Sequence, residues 1–216
     1  MTDGQLQRDV NDAIFYDPKV DSVAIVSAVE GGVVTLRGTV GSLREKLEAQ
    51  NDVQHVAGVT GVHNDLVVTP LEAASRDDAD LRGAVLQALV LNAGVPSTID
   101  AKVADSWVTL TGTASWQHQR DEAVSVVSKM ESVKGVTNDV ELVITEPIAP
   151  DVKQSIVDAL QRNARVDAKG ITVEIDGTTV VLGGTATSLA ERLEAASAAW
   201  ASPGVTEVIN NIAIVN

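Results

Sequence analysis

The sequence predicts an α+β protein of three tandem α-β-β-α-β domains, each a small three-stranded mixed sheet covered by two helices. Three observations predict it. A Leu-x-Gly-Thr landmark occurs three times, and its glycines, Gly38, Gly112 and Gly184, stand 74 and 72 residues apart. A second landmark, Asn64, Asn138 and Asn210, repeats with the same two offsets. Between the landmarks, hydrophobic spacing switches between the helical and the extended period in the same order in every copy. The expected domains are residues 1–70, 76–146 and 149–216.

Each copy opens with a helix. Leu6, Val10 and Ile14 are spaced by four, as are Leu81, Val85 and Leu89, and Val152, Ile156 and Leu160. That spacing lays one apolar stripe along one face. Asp77-Asp78-Ala79-Asp80 and Pro150-Asp151 suit positive helix N-termini. Two strands follow, alternating through Ile25-Ser27-Val29, Ile99-Ala101-Val103 and Ile171-Val173-Ile175. Gly31-Gly32, Asp105-Ser106 and Gly177-Thr178 supply the hairpin turns. The second strand ends at the repeated glycine, which suits a bulge or a collision with the next helix.

A second helix starts at Ser42 and Ser188, each with a glutamate three residues on, the pattern of a capping box. Trp116 replaces that serine in the middle copy. Ala49, Ala123 and Ala195 let this helix approach the sheet closely. A last strand runs over 62–68, 136–143 and 208–214. Because a helix lies between the second and third strands, those two are expected to be parallel, joined by a right-handed crossover. Linkers are expected near 70–80 and 146–150.

Bulk composition excludes several functions. Net charge is −14 and each copy holds more acid than base, which argues against phosphate-backbone binding and so against nucleic acid. It also opposes simple attraction to anionic lipid. There is no cysteine, hence no disulfide or thiolate chemistry. The first residues lack the basic and apolar regions of a secretory signal, and no long apolar run spans a membrane. A cytoplasmic setting is expected.

The order of elements, Leu-x-Gly-Thr after a hairpin, and the closing Gly58-Val59-Thr60-Gly61-Val62-His63-Asn64-Asp65-Leu66 resemble the BON domain (bacterial OsmY and nodulation). Gly204-Val205-Thr206-Glu207-Val208-Ile209-Asn210 repeats that ending, while the middle copy has Ser132 at its first glycine. The resemblance extends over nearly the whole chain, including segments similar to triple-BON proteins that carry no signal sequence. It implies association with osmotic and envelope stress, with phospholipid binding at membrane surfaces or chaperone-like protection of other proteins as roles, and it brings no catalytic motif.

No cofactor or metal site is expected. His55, His63 and His118 lack ligand spacing, the acidic run lacks the glycine and distal glutamate of a calcium loop, and no glycine cluster has phosphate-loop spacing. The repeated asparagines fit side chains bonding local backbone at a strand entry. The better candidates are apolar residues that break the repeat. At the end of the first helix the copies read Phe15-Tyr16, Val90-Leu91 and Gln161-Arg162. The first two pairs are either packed between copies or exposed for a partner. Trp107 and Trp116 stand where the first copy has Val33 and Ser42, and tryptophans in such places either mark a contact surface or fill a gap between domains. The expected function is a non-catalytic, stress-associated binding module, chaperone-like or scaffolding, with peripheral phospholipid binding as the alternative.

Overall fold

The computed structural model describes residues 1–70, 76–143, 152–163, 166 and 170–215. The expected Pro150-Asp151 helix start, residues 146–149 and 71–75 of the expected linkers lie outside them. The chain divides into two compact units, residues 1–112 with 120–141 and residues 113–119 with 142–216.

The first copy runs α1 (Asp3–Tyr16), a 3-10 turn (Ser22–Ala24), β1 (Ile25–Glu30), β2 (Val33–Val40), α2 (Leu43–Gln54) and β3 (Gly61–Val68). β2 is central, antiparallel to β1 and parallel to β3, as the intervening helix requires. Leu6, Val10 and Ile14 of α1 are buried, as are Ala49 and Val53 of α2, beneath which Val34, Leu36 and Leu66 of the sheet are also buried. The opposite sheet face carries Val26, Arg37, His63, Asp65 and Val67, all exposed.

The second copy repeats this order with α3 (Asp78–Leu91), β4 (Asp100–Ala104), β5 (Trp107–Ala114), α4 (Gln117–Ser128) and β6 (Gly135–Leu142), its sheet ordered β4-β5-β6. The third has α5 (Val152–Arg162), β7 (Ile171–Asp176), β8 (Thr179–Ala186), α6 (Leu189–Trp200), β9 (Glu207–Asn210) and β10 (Ala213–Ile214). Its last strand, expected over 208–214, is interrupted: β9 and β10 both pair parallel to β8, and between them Asn211 donates its N–H to Leu182 O at 2.8 Å.

The repeated glycine has a backbone cause. Gly38, Gly112 and Gly184 have φ of 128°, 117° and 98°, a region that L side chains rarely adopt. A methyl group there would overlap the carbonyl oxygen of Ala24, Thr98 or Gly170, the residue entering the neighbouring strand. The collision that excludes a side chain is thus with the hairpin partner and not with the next helix.

The turn of the second copy is built without glycine. Asp105 and Ser106 both have positive φ, 52° and 64°, and their amides donate to the two carboxylate oxygens of Asp78 at 2.8 and 2.9 Å. The acidic run therefore starts α3 through Asp77, which accepts from the Asp80 amide, and also clamps a strained hairpin. Asp3 does the same for Gly31 in the first copy.

Side chains cover the outer edges of the sheets. Gln7 donates to the Ser27 carbonyl of β1 and Arg82 to the Ala101 carbonyl of β4, each at 2.7 Å. On the other margin Lys46 donates to Leu66 O at 2.7 Å and Arg192 to Asn210 O at 3.1 Å. These bonds occupy acceptors that an edge strand otherwise presents to another chain.

Candidate functional site

The ends of α1 and α3 carry exposed apolar side chains that the repeat does not require. Phe15 and Tyr16 are 66% and 76% exposed, and Val90 and Leu91 are 79% and 78%. The residues immediately before them, Ile14 and Leu89, are buried. Each helix thus uses one face for its core and turns a second apolar pair to solvent. Both pairs lie outside the buried core of their own copy. Phe15 and Tyr16 also meet each other edge to face, with centroids 5.2 Å apart. This aromatic pair lies in an acidic setting, for Asp12 precedes Phe15 by one turn and Asp17 follows Tyr16.

Trp107 has a local role that the sequence does not disclose. Its ring lies on Gly135 so closely that a methyl group there would strike it, and its Nε1 donates to Thr137 Oγ1 at 2.8 Å. The first copy puts Val33 against Gly61 at the same place. Trp107 remains 49% exposed on the open sheet face. Trp116 is half-buried at the start of α4 and sits 5.9 Å from the His118 ring. The capping function it displaces is kept in part by Gln119, whose Oε1 accepts from the amides of Ser115 and Trp116.

The repeated asparagines staple helix to strand. Asn64, Asn138 and Asn210 each accept an N–H two residues on, from Leu66, Val140 and Ile212, all at 3.2 Å. This local bond is the expected one. Each also donates its amide across to a carbonyl of the preceding helix: Lys46 at 2.8 Å, Arg120 at 3.5 Å and Arg192 at 2.9 Å. The helix partner is basic in all three copies, with the offsets of the asparagine, a signal in the sequence that the landmark residues overshadowed.

A carboxylate cluster joins the end of α1 to α2. Asp52 has one carboxylate oxygen fully out of solvent and without a hydrogen-bond partner. Burial, then the charge of and a hydrogen bond with Asp17, then the charge of Glu48, raise its pKa to about 6, against an opposing influence from Lys19. Lys19 pairs with Glu48 at 3.2 Å. The histidines do not converge: His55 ends α2 with Nδ1 on Asn51 O, and His63 is exposed on β3. Among the described residues no group of three or more His, Cys, Asp or Glu is placed to hold a metal ion, and no helix is long and apolar enough to cross a membrane.

Beside Phe15 lies a groove of about 400 Å³ between α1 and the outer edge of β1. Ile14, Phe15, Ile25 and Val26 form its walls, Gln7, Asn11 and Ser27 its polar floor, and Asp12 supplies the single charge of its lining.

The chain is 30% identical over 146 residues to the osmotically-inducible protein Y of Escherichia coli (strain K12), covering 65% of this chain and 73% of that one. Two solved structures of CdsD, a structural protein of the type III secretion system of Chlamydia trachomatis, align at 16% and 14% identity over 98% and 100% of this chain and 92% and 100% of theirs, with TM-scores of 0.26 and 0.28. The model of the BON domain matches residues 2–70, 77–143 and 149–216. With the repeated hairpin, crossover helix and mixed sheet beneath those matches, the chain belongs to the BON domain family.

Proposed function

We propose that this chain is a non-catalytic, stress-associated binding module that engages other polypeptides in a chaperone-like or scaffolding manner. The observation that carries the reading is the exposure of Phe15, Tyr16, Val90 and Leu91 at equivalent positions of two copies. The third copy has Gln161-Arg162 there, so the fold itself does not need apolar residues at these places. Burying each such side chain against a partner contributes about 1 to 2 kcal/mol. The osmotically inducible relative supports the association with osmotic stress.

Peripheral phospholipid binding is the second reading. The aromatic pair at the end of α1 favours it, because tyrosine presents an apolar body and a polar tip suited to a bilayer interface. The acidic flanks and the net charge of −14 oppose anionic lipid, which places the protein partner first. The test is protection of an aggregating, reduced client protein alongside vesicle co-sedimentation. Protection that is lost in Tyr16→Ser/Leu91→Ser, with no sedimentation on vesicles, supports a polypeptide partner. Vesicle binding without client protection would replace it with the lipid reading.

A further inference from the structure

We propose that the groove between α1 and β1 of the first copy binds an extended polypeptide segment in which cationic and apolar side chains alternate. The inference rests on the protein-binding reading above and names the partner's chemistry at one place.

Two residues at the groove differ in kind from those of the sister copies. Asn11 stands where α3 has Leu86 and α5 has Val157; Ser27 stands where β4 has Ala101 and β7 has Val173. Leu86 is half-buried, and Val157 packs against the buried core that contains Val173. In the first copy Asn11 and Ser27 instead bond each other, Ser27 Oγ donating to Asn11 Oδ1 at 2.6 Å. A polar pair thus stands where the sister copies have apolar residues.

The second copy shows what that place accepts. There Arg82 lies along the strand edge, its Nε donating to Ala101 O at 2.7 Å and its Nη2 reaching Asp100 Oδ1 at 3.1 Å. The first copy has no cation at that position. Gln7 makes the corresponding bond to Ser27 O with a neutral amide, while Asp12 puts a carboxylate into the lining. A lysine or arginine from a partner takes the place of the neutral Gln7 amide on the Ser27 carbonyl and meets the Asp12 carboxylate, a charge-assisted exchange. Neighbouring apolar side chains of the partner then meet Phe15 and Val26, both exposed. The acidic balance of the first copy, 10 carboxylates against 5 cations, steers such a segment in.

The experiment is fluorescence anisotropy of the full chain with a short labelled peptide of alternating lysine and valine, and with its glutamate–valine counterpart. Saturable binding of the basic peptide that weakens with salt is expected. Asn11→Leu/Ser27→Val, which adds apolar bulk at the two positions that Val157 and Val173 occupy in the third copy, is expected to reduce affinity at least tenfold, and so is Asp12→Lys. Circular dichroism verifies folding of both variants. Equal binding of the acidic peptide, unchanged affinity in the filled variant, or no binding of the basic peptide overturns the proposal. Client protection that survives groove filling but is lost in Leu91→Ser overturns it while leaving the proposed function standing. Vesicles that occupy the groove, read as amide shifts at Gln7 and Ser27 without peptide binding, overturn it as well.

Discussion

Replacing Asp52 by asparagine should stabilise the first copy at neutral pH and leave it unchanged in acid. Asp52 sits on α2 with one oxygen shielded from water and the carboxylates of Asp17 and Glu48 beside it. Its pKa is raised from 3.8 to about 6, first by burial and then by Asp17. Between these two values the folded chain holds a proton that the unfolded chain has released. Raising the pH through that window therefore lowers stability, and the full cost is present above it. The whole displacement corresponds to about 3 kcal/mol, but Asp52 is only half-buried, and screening at its wet side reduces the figure to about 1 kcal/mol. The asparagine amide carries no charge and donates to Asp17 as the protonated acid does. Urea unfolding followed by far-ultraviolet circular dichroism reports the helices of all three copies, whereas the three tryptophans, Trp107, Trp116 and Trp200, lie outside the first, so the part of the transition seen by circular dichroism and not by tryptophan fluorescence belongs to the first copy. The difference between variant and parent should be near zero below pH 4 and rise to its plateau above pH 6. An equal destabilisation at both ends, or a carboxyl carbon of Asp52 that titrates with the ordinary aspartates in a magnetic resonance experiment, would refute the reasoning.

Gly112→Ala should destabilise by at least about 3 kcal/mol, through a positive φ and overlap with the Thr98 carbonyl. Gly83→Ala, inside α3 with open space around it, should stabilise by about 0.5 to 1 kcal/mol in the same denaturation assay. Asn64→Ala removes the staple between α2 and β3 and should cost about 1 to 3 kcal/mol. Asn138→Ala should cost less, because its bond to the helix is longer, 3.5 Å against 2.8 Å. Gly135→Ala should destabilise alone and be rescued by Trp107→Val, which recreates the Val33–Gly61 arrangement; a double-mutant cycle measures the coupling, and additivity would reject the contact.

What the sequence disclosed was whatever depends on local periodicity repeated in register. The stripes of Leu6-Val10-Ile14 and their sister triads, the hairpin turns and the parallel crossover all follow from spacing. Interactions between residues far apart in sequence were hidden. Asp78 reads as one member of an acidic run, yet it holds a turn 27 and 28 residues away. Trp107 reads as a contact residue, yet Gly135 and Thr137 determine its pose. The exposure of Phe15, Tyr16, Val90 and Leu91 was open in the sequence, because an apolar pair beyond the core stripe fits a buried joint as well as a free surface. Asp52 gave no signal at all, since its environment is assembled by the return of α2 against the end of α1. Asn11 and Ser27 became informative only once their sister residues were seen filling the space between helix and strand.

The covered sheet margins bear on how such a chain escapes its own repetition. Similar hairpins joined in one polypeptide meet at roughly millimolar effective concentration, and an open strand of one copy is a template for a strand of another during synthesis. Gln7, Arg82, Lys46 and Arg192 each occupy one acceptor of those templates from a helix of the same copy. A margin is sealed only after its own helix has docked, so exchange between copies is confined to the interval before docking. Tandem duplication then becomes tolerable: each copy commits to itself once its helices are in place, and its exposed helix ends are left to diverge.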